Sequence, residues 1–408
     1  MSFKSCCLSA AHLAGVVFKS RFTDGRGLDA PGNFLDTKAE QARFGGYRAC
    51  HAAQGVYRDM TLMDIDSAYP WAMARRDFPG FFGGSYARIM RVKPFGLYRV
   101  SADIPNASHP LFLQRTGRGS LSFRKAGHAI FWVSGVELLA FSRVYKSFSY
   151  RVLEGWIWKA GREKRKPLQR WSLFWHAKKK MVDKKDPIQA PRRQLYKNML
   201  NHITGKFDSM ISEGSERWLT ADGYVEVGTK RPGMLKNFFV AVFIRALPRV
   251  RTWEAGIKSG SLFEMTDSLV IPSANVSRLK PGEGLGRWGI ECRGDLIFWR
   301  PGTYLILDPK TKKPVKVALH GFQGNYKKWL HAIRTAKLVR RFNARKKIWI
   351  ETMEAVVYKK RMFRVRECVR RQNQRKALCF EQKKFVLRFT PDFCQAVKTY
   401  FRSRRVQK

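Results

Sequence analysis

The 408-residue chain has few acidic residues and no cysteine pair at metal-binding spacing. It carries 31 Asp and Glu against 79 Lys and Arg, which gives a formal net charge of +48. The seven cysteines are scattered without a C-x-x-C pair, and the eight histidines do not lie near them at zinc-ligand spacings. This pattern excludes a zinc finger or a disulfide framework, so we expect reduced thiols and an intracellular location.

A long apolar run is also missing. The longest, Phe238–Ile244, is far too short to span a bilayer. Residues 1–23 contain no acid and weakly resemble a leader, but His12 and several serines interrupt the apolar stretch. We therefore expect no membrane span, and a cleaved leader is the less favoured alternative.

The remaining composition is that of a folded, strongly basic protein. Hydrophobic residues make up 44% and aromatic residues 13% of the chain, enough for a core divided into two or three subdomains. The positive charge is spread along most of the length, which favours a polyanionic partner. Nucleic acid is favoured over an anionic membrane because no basic amphipathic anchor is present. The alternative is a solvated basic surface.

An apolar segment with two acidic residues, Thr61–Pro70, is the most informative stretch. In a strand, Leu62, Asp64 and Asp66 would share one face. Carboxylates that emerge from an apolar strand are costly unless a cation meets them. In so basic a chain, this predicts a metal-and-phosphate site.

A second acidic site lies about 200 residues later. Residues 262–271 consist of two apolar runs around a polar centre, which predicts a hairpin with Asp267 at its tip. Two separate carboxylates favour two-metal phosphoryl transfer, in which the protein positions and neutralises the reacting groups. Mg²⁺ prefers oxygen ligands and retains waters, so Asp64, Asp267 and the Ile65 carbonyl would suffice, with Mn²⁺ as a possible substitute.

A basic helix is predicted between the two acidic sites, over residues 192–207. Arg193, Lys197 and Asn201 recur every four residues on one face. Leu195, Met199 and Ile203 fall on another face, which we expect to pack. Two cations and an amide suit a triphosphate and a base pair, although a basic helix face is often only structural.

The stretch before this helix, residues 159–185, is intensely basic. It interleaves Trp171 and Trp175 with lysines and is predicted to be a helix. These rings are candidates for stacking on single-stranded template. Lys185 is a candidate to assist Lys197 with the triphosphate.

Taken in order, these segments resemble the motifs of family B DNA polymerases, most closely the protein-primed branch of linear phages and plasmids. The similar segments are Asp64–Pro70 (D-x-x-S-L-Y-P), Lys197–Phe207 (K-x-x-L-N-x-x-Y-G-K-F), Met265–Ser268 (D-T-D-S), Leu285–Glu291 and Gly302–Tyr304 (K-x-Y). Each motif alone is moderately specific for the family, whereas the full set in the family's order is a strong indication of it.

The resemblance implies a right-hand α+β fold with an antiparallel-sheet palm, helical fingers and a basic thumb. The domains expected are an N-terminal extension (1–40), palm (41–110), insertion (111–184), fingers helix (185–208), second palm part (209–306) and thumb (307–408). The insertion is long enough to bind a separate terminal protein. We expect a monomer that uses primer, template and dNTPs, with either a primer 3′-OH or a protein hydroxyl as acceptor.

The resemblance also implies roles for individual residues. Asp64 and Asp267 would be catalytic and bind metal, and Tyr69 would exclude the 2′-OH of a ribonucleotide. The nucleotide contacts would be Ser67, Tyr69, Lys185, Arg193, Lys197 and Asn201. The primer or template contacts would be Gly45, Gly46, Thr204, Gly205, Lys206 and Tyr304, with Tyr304 at the primer end.

Three positions depart from the family pattern. Met265 replaces the first Asp of D-T-D-S, Thr204 replaces a Tyr, and Gly302 replaces the Lys of K-x-Y. Residues 1–40 contain no D-x-E, so we expect no proofreading exonuclease. Met265 also leaves open a catalytically impaired, DNA-binding accessory protein.

Overall fold

The computed structural model describes residues 10–116, 120–162, 165–183, 186–212, 230–319, 326–343, 348–361 and 381–402. The first half contains α1 (Ala10–Phe22), α2 (Gly32–Ala42), β1 (Tyr47–Cys50), β2 (Gly55–Ile65), α3 (Ala68–Ala74), β3 (Gly84–Arg88), β4 (Gly96–Ile104), β5 (Leu113–Arg115), β6 (Leu121–Phe123), β7 (Gly127–Ser134), α4 (Gly135–Val144), β8 (Ser149–Ala160), α5 (Pro167–Lys180) and α6 (Ala190–Lys206). The second half contains β9 (Met210–Ser212), β10 (Lys230–Pro232), α7 (Phe238–Ser259), β11 (Phe263–Thr266), β12 (Ser268–Pro272), a 3₁₀ helix (Ser273–Leu279), β13 (Trp288–Arg300), β14 (Thr303–Leu307), β15 (Pro314–Leu319), α8 (Tyr326–Thr335), β16 (Lys337–Asn343), β17 (Ile348–Arg361), β18 (Glu381–Phe389) and α9 (Pro391–Arg402).

The central sheet has seven antiparallel strands in the order β1-β11-β12-β2-β13-β14-β15. Strand β2 lies in its middle and is covered on both faces. Met63 and Ile65 pack on the side of α7, whereas Met60 and Leu62 pack on the side of Tyr304. Burial on both faces explains why the segment is almost continuously apolar. The prediction of an α+β fold with an antiparallel central sheet is confirmed.

Helix α7 supports one face of this sheet. Asn237 caps its first turn by accepting a hydrogen bond from the Val240 amide at 2.9 Å, and Gly260 ends it with φ of 63°. Most of its length is buried, which agrees with the apolar run noted in the sequence.

Helices α1, α5 and α6 form a second layer, called here the helical layer. The Phe18 ring lies 5.5 Å from Trp171 and 6.5 Å from Phe207, so α1 packs between the two other helices. Trp171 is completely buried, and the prediction that it stacks on template is wrong. Trp175 contacts Trp171 and Tyr196 instead of lying free on the surface.

Residues 10–42 form two helices although their sequence shows no clear periodicity. Ala14, Gly15 and Phe18 of α1 are buried, whereas its exposed side carries the apolar Val16 beside His12 and Ser20. The contrast between an apolar and a polar face that would reveal the helix in the sequence is therefore weak. Residues 10–40 are thus largely part of the packed body.

Two smaller sheets flank the central one. Strands β3, β8, β4 and β7 form a four-stranded sheet next to α4, whose N-terminus is capped by Ser134. The Ser134 hydroxyl accepts from the Glu137 amide at 3.3 Å and donates to the Glu137 carboxylate at 2.7 Å, so the two residues link across the first turn of α4. Strands β16–β18 form a C-terminal sheet that packs on α8 and α9 around Trp329 and Phe393. Within the described residues, no helix is long and apolar enough to cross a membrane.

Candidate active site

Asp64 and Asp267 come together at one end of the central sheet. Asp64 lies near the end of β2, opposite Ser268 of β12 and Gly289 of β13. Asp267 occupies the turn between β11 and β12, so the predicted hairpin is confirmed. The Asp267 carbonyl accepts a hydrogen bond from the Ile65 amide at 2.9 Å, which fixes the turn beside β2.

The two carboxyl groups repel each other in a partly buried setting. Burial, followed by the charges of Asp267 and Glu291, raises the pKa of Asp64 to about 7. Burial also raises the pKa of Asp267. Partly buried carboxyl groups with raised pKa values are candidates for a functional site. A bound cation would favour their charged forms.

A cleft of about 470 Å³ opens on one side of the pair, and we call it cleft A. It lies between the end of β2 and helices α5 and α6. The residues that line it are Asp64, Ile65, Asp66, Ser67, Ala68, Tyr69, Lys179, Arg193, Lys197, Asn201, Thr204 and Asp267. Nine of the residues predicted from the sequence therefore lie around one cavity.

The α6 face in cleft A follows the predicted spacing. Arg193, Lys197 and Asn201 line the cleft, and neither cation forms an ion pair with any residue in the described ranges. Met199 and Ile203 are buried on the opposite side as expected. Leu195 is 42% exposed, so its predicted packing is wrong. It lies near the start of the helix, before the buried part of that face begins.

Asp66 does not share the strand face predicted for it. Strand β2 ends at Ile65, and Ser67 adopts a left-handed conformation with φ of 55°, so the alternation stops there. The Lys179 ammonium group lies 2.9 Å from both the Asp66 carboxylate and the Ser67 hydroxyl. Burial alone would raise the pKa of Asp66, but the Lys179 and Ser67 contacts outweigh it and lower that pKa.

Tyr69 follows this turn at the start of α3 and lines the base of cleft A. Burial, together with the nearby Asp267 charge, raises its pKa, so the phenol is neutral at physiological pH. The ring lies next to the catalytic carboxylate candidate. Its position suits a wall against the sugar of a bound nucleotide.

A second cleft of about 770 Å³ opens on the other side of the carboxyl pair, and we call it cleft B. Tyr304 lines it together with Met265, Glu291 and Lys316. Lys316 forms an ion pair with Glu291, and Tyr304 is only 5% exposed. The predicted primer contact Tyr304 thus lies in a different cleft from the predicted nucleotide contacts.

The paired glycines before β1 pack against the Asp267 turn. A Cβ on Gly46 would lie 2.4 Å from Cγ2 of Thr266, so only glycine fits there. Thr266 itself has φ of 65° and its carbonyl accepts a hydrogen bond from the Thr252 hydroxyl at 3.1 Å. Gly46 therefore contacts the residue before Asp267.

Arg249 binds the backbone carbonyl groups of this glycine segment. Its guanidinium donates to the Gly45 carbonyl at 2.6 Å and to the Phe44 carbonyl at 3.2 Å. It also forms an ion pair with Glu137 at 2.9 Å, and both side chains are almost completely buried. Sequence reasoning missed Arg249, because its partners lie more than 100 residues away in the chain.

The other predicted residues lie at the ends of elements. Gly205 and Lys206 end α6, and a Cβ on Gly15 would lie 3.6 Å from Cγ of Lys206, so this lysine lies along α1. Gly302, which replaces the Lys of K-x-Y, has φ of 77°, a backbone conformation that glycine adopts most easily. Lys185 lies outside the described residues.

The residues present fit divalent cations with hard oxygen ligands. Asp64 and Asp267 line both clefts and Ile65 lines cleft A, whereas the Met265 side chain supplies no oxygen. Across the described ranges, no group of three or more His, Cys, Asp or Glu side chains converges on one point. A cation here would therefore retain waters or take substrate oxygens, as Mg²⁺ commonly does.

Comparisons with known proteins agree with this geometry. The family model for DNA polymerase type B, organellar and viral, matches residues 2–227. The structure of Phi29 DNA polymerase complexed with primer-template DNA and incoming nucleotide substrates superposes with a TM-score of 0.67 at 16% identity, over 93% of this chain and 67% of that one.

The orthorhombic crystal form of Phi29 DNA polymerase gives a TM-score of 0.63 at 17% identity and covers 82% of this chain. This chain spans 65% of the length of that protein. No curated protein sequence matches the chain significantly. The right-hand polymerase fold expected from the motifs is confirmed by these superpositions.

Proposed function

Because the chain belongs to the organellar and viral DNA polymerases of type B, we propose that it catalyses template-directed DNA synthesis from dNTPs. The observation that carries the proposal is the position of Asp64 and Asp267 between two clefts. Cleft A offers Arg193 and Lys197, which have no ion-pair partner among the described residues, to a triphosphate. Cleft B offers room for the hydroxyl end of a primer. The reacting atoms of both substrates would then meet at the carboxyl pair.

Two Mg²⁺ ions, or Mn²⁺ in their place, would be held by Asp64, Asp267 and the Ile65 carbonyl and would activate the attacking hydroxyl and neutralise the leaving pyrophosphate. Lys197 and Arg193 would orient the triphosphate through charge-assisted hydrogen bonds. Asn201 and Thr204 would lie near the new base pair. Tyr69 would contact the sugar and exclude a 2′-OH.

The proposal also covers the hydroxyl group that accepts the nucleotide and the DNA that the protein binds. Tyr304 and the Gly45-Gly46 segment lie on the side where a primer strand would reach the carboxyl pair. Either a primer 3′-OH or the hydroxyl of a terminal protein fits an open cleft of this size. The proposed active unit is a monomer on primed template, located inside the cell. The large positive charge would bind DNA phosphates, with affinity falling steeply as salt rises.

We also propose that residues 1–408 synthesise DNA without proofreading. The described residues that precede the glycine pair form α1, which packs on α5 and α6, and α2, which packs on α7. A metal-dependent exonuclease needs its own set of carboxylates, and residues 1–40 contain no D-x-E. Degradation of a 3′-mismatched primer in the absence of dNTPs would overturn this part.

Primer extension with Asp267→Asn tests the central reaction. We expect the rate to fall about a thousandfold or more, because a metal-binding charge is lost at the reacting atoms. Binding to primed DNA should change little, and gel shift checks this. Asp308→Asn is the matched control, since Asp308 lies in an exposed turn between β14 and β15. Equal extension by Asp267→Asn and wild type would contradict the proposal.

A second candidate function follows from Met265. With a thioether in place of a carboxylate beside Asp267, the chain would bind primed DNA without extending it. Incorporation by the wild-type protein separates the two candidates. If it incorporates no dNTP with either Mg²⁺ or Mn²⁺ but Met265→Asp does, the chain is a catalytically impaired accessory protein.

A further inference from the structure

Three arginines surround a separate cleft of about 330 Å³ between α3, α4 and α7. We call it the Arg251 cleft, after the arginine on α7. Arg75 and Arg143 contribute the other two guanidinium groups. An apolar wall made of Phe95, Val136, Leu139 and Val250 completes the cavity. A small cavity with an apolar wall and a few converging polar groups is the usual form of a ligand site.

Two of the three arginines already have carboxylate partners. Arg75 binds Asp77 through two hydrogen bonds of 2.8 and 2.5 Å. Arg143 binds Glu254 at 2.6 Å. Their charges are therefore largely compensated within the protein.

Arg251 differs from both. It forms no hydrogen bond or ion pair with any residue in the described part of the chain, and its guanidinium stacks 4.3 Å from the centre of the Trp71 ring. Burial, followed by the neighbouring charges of Arg287 and Arg75, lowers its pKa. Asp77 and Glu254 also line the cleft, but they are paired with Arg75 and Arg143. A half-buried cation without an anionic partner of its own is unfavourable until an anion binds it.

The surface under Arg251 is closely packed. Trp71 packs against Gly286, where a Cβ would lie 2.0 Å from the indole ring, and Gly286 has φ of 76°. The Gly286 amide in turn donates to the Asp66 carbonyl at 2.7 Å. The ring on which the Arg251 guanidinium stacks is thus supported by the backbone that follows β2.

We propose that the Arg251 cleft binds the phosphate group of a nucleotide, distinct from the nucleotide proposed for cleft A. Arg251 would contact the phosphate, because a planar guanidinium matches its oxygens. The base or sugar would lie against the wall formed by Phe95 and Val250. The source is either a free nucleotide or one unit of a single strand that crosses this face of the protein.

Calorimetry with dAMP and without divalent metal tests the free-nucleotide source. The wild-type protein and Lys197→Gln should bind dAMP equally, because Lys197 belongs to cleft A. Arg251→Gln should weaken binding about tenfold, the size of one lost charge-assisted contact. Arg251→Lys, which retains the charge but loses the fork, should be intermediate. Arg91→Gln removes an exposed arginine elsewhere and should have no effect.

A second variant guards against a folding artefact. Leu139→Glu places a carboxylate in the cleft while Arg251 remains, so it should pair with Arg251 and abolish dAMP binding. Thermal unfolding followed by circular dichroism confirms that each variant is folded. Loss of dAMP binding in Lys197→Gln, with binding intact in both cleft variants, would overturn the free-nucleotide source.

Filter binding of a single-stranded dT oligonucleotide tests the strand source. Arg251→Gln should then reduce affinity and lower the slope of log affinity against log salt by about one contact. If Arg251→Gln weakens binding of the oligonucleotide but not of dAMP, the site binds a strand. If it weakens binding of dAMP, the site binds a free nucleotide. If Arg251→Gln and Leu139→Glu alter neither, the proposal is wrong. None of these readouts requires polymerase activity, so the result is independent of the proposed function.

Discussion

Cleft A and cleft B share Asp64 and Asp267 but differ in the charge of their walls. In cleft A, Arg193 and Lys197 project from α6 without a carboxylate partner among the described residues. In cleft B, Lys316 is neutralised by Glu291, Met265 and Val317 add apolar surface, and only Arg48 lacks a carboxylate partner among the described residues. A wall with two such cations suits a highly charged triphosphate, whereas a wall with one suits a strand end with one charge per nucleotide. The predictions below test this division.

Among the wall residues of the two clefts, Lys197→Gln is expected to have the largest effect. Loss of one charge-assisted contact to the triphosphate should raise the KM for dNTP roughly tenfold to a hundredfold. Affinity for primed DNA should be unchanged, because the primer belongs to cleft B. Steady-state extension over a range of dNTP concentrations measures this. Arg192→Gln is the control, since Arg192 is exposed on α6 and does not line the cleft.

A smaller effect is expected for Tyr69→Val at the base of cleft A. A shorter side chain leaves space for a 2′-OH, so selectivity for dNTP over rNTP should fall about tenfold, the usual size of a steric discrimination in one pocket. Competition between labelled rNTP and dNTP gives the ratio. Tyr196→Val, on α6 against Trp175, removes a ring away from the proposed sugar position. Unchanged selectivity in Tyr69→Val would remove Tyr69 from the sugar contact.

The smallest effect concerns Asp66, whose charge is already compensated by Lys179. Asp66→Asn should lower the free energy of unfolding at pH 7 by about 1–3 kcal/mol, because Lys179 loses a charged partner. The pKa of Asp66 is lowered in the folded state, so its contribution is present at neutral pH and is lost as pH falls below about 4. Urea unfolding of both proteins at pH 7 and pH 3.5 checks this. A difference that grows in acid would contradict the assigned ion pair.

Sequence patterns predicted the elements whose signals are local. The hairpin at Asp267 and the face of α6 with Arg193 and Lys197 follow from alternation and from four-residue spacing within a few turns of chain. The contact between Lys179 and Asp66 could not be predicted in this way. It joins residues 113 positions apart, and Lys179 is one of three consecutive lysines in the sequence.

The helical layer shows the same limit. Trp171 lies in a basic stretch whose composition indicates a nucleic-acid-binding surface. In the structure it is buried against α1. Helix α1 has no recognisable pattern in the sequence, so the burial of Trp171 was not predictable. Gly302 is a second case, because its left-handed backbone conformation is visible only in the structure. Non-local packing and backbone conformation thus account for most of the differences between the predictions from the sequence and the structure.

Photocrosslinking of a primer with a reactive group on its 3′-terminal nucleotide tests most directly whether the two clefts divide the substrates. With template and Mg²⁺ present, mass spectrometry should locate the crosslink on cleft B, at residues 316–319 of β15 or at Tyr304. A reactive dNTP in the same complex should instead label α6 at Arg193 or Lys197. Crosslinks from the primer terminus to α6, with β14 and β15 unlabelled, would contradict the account.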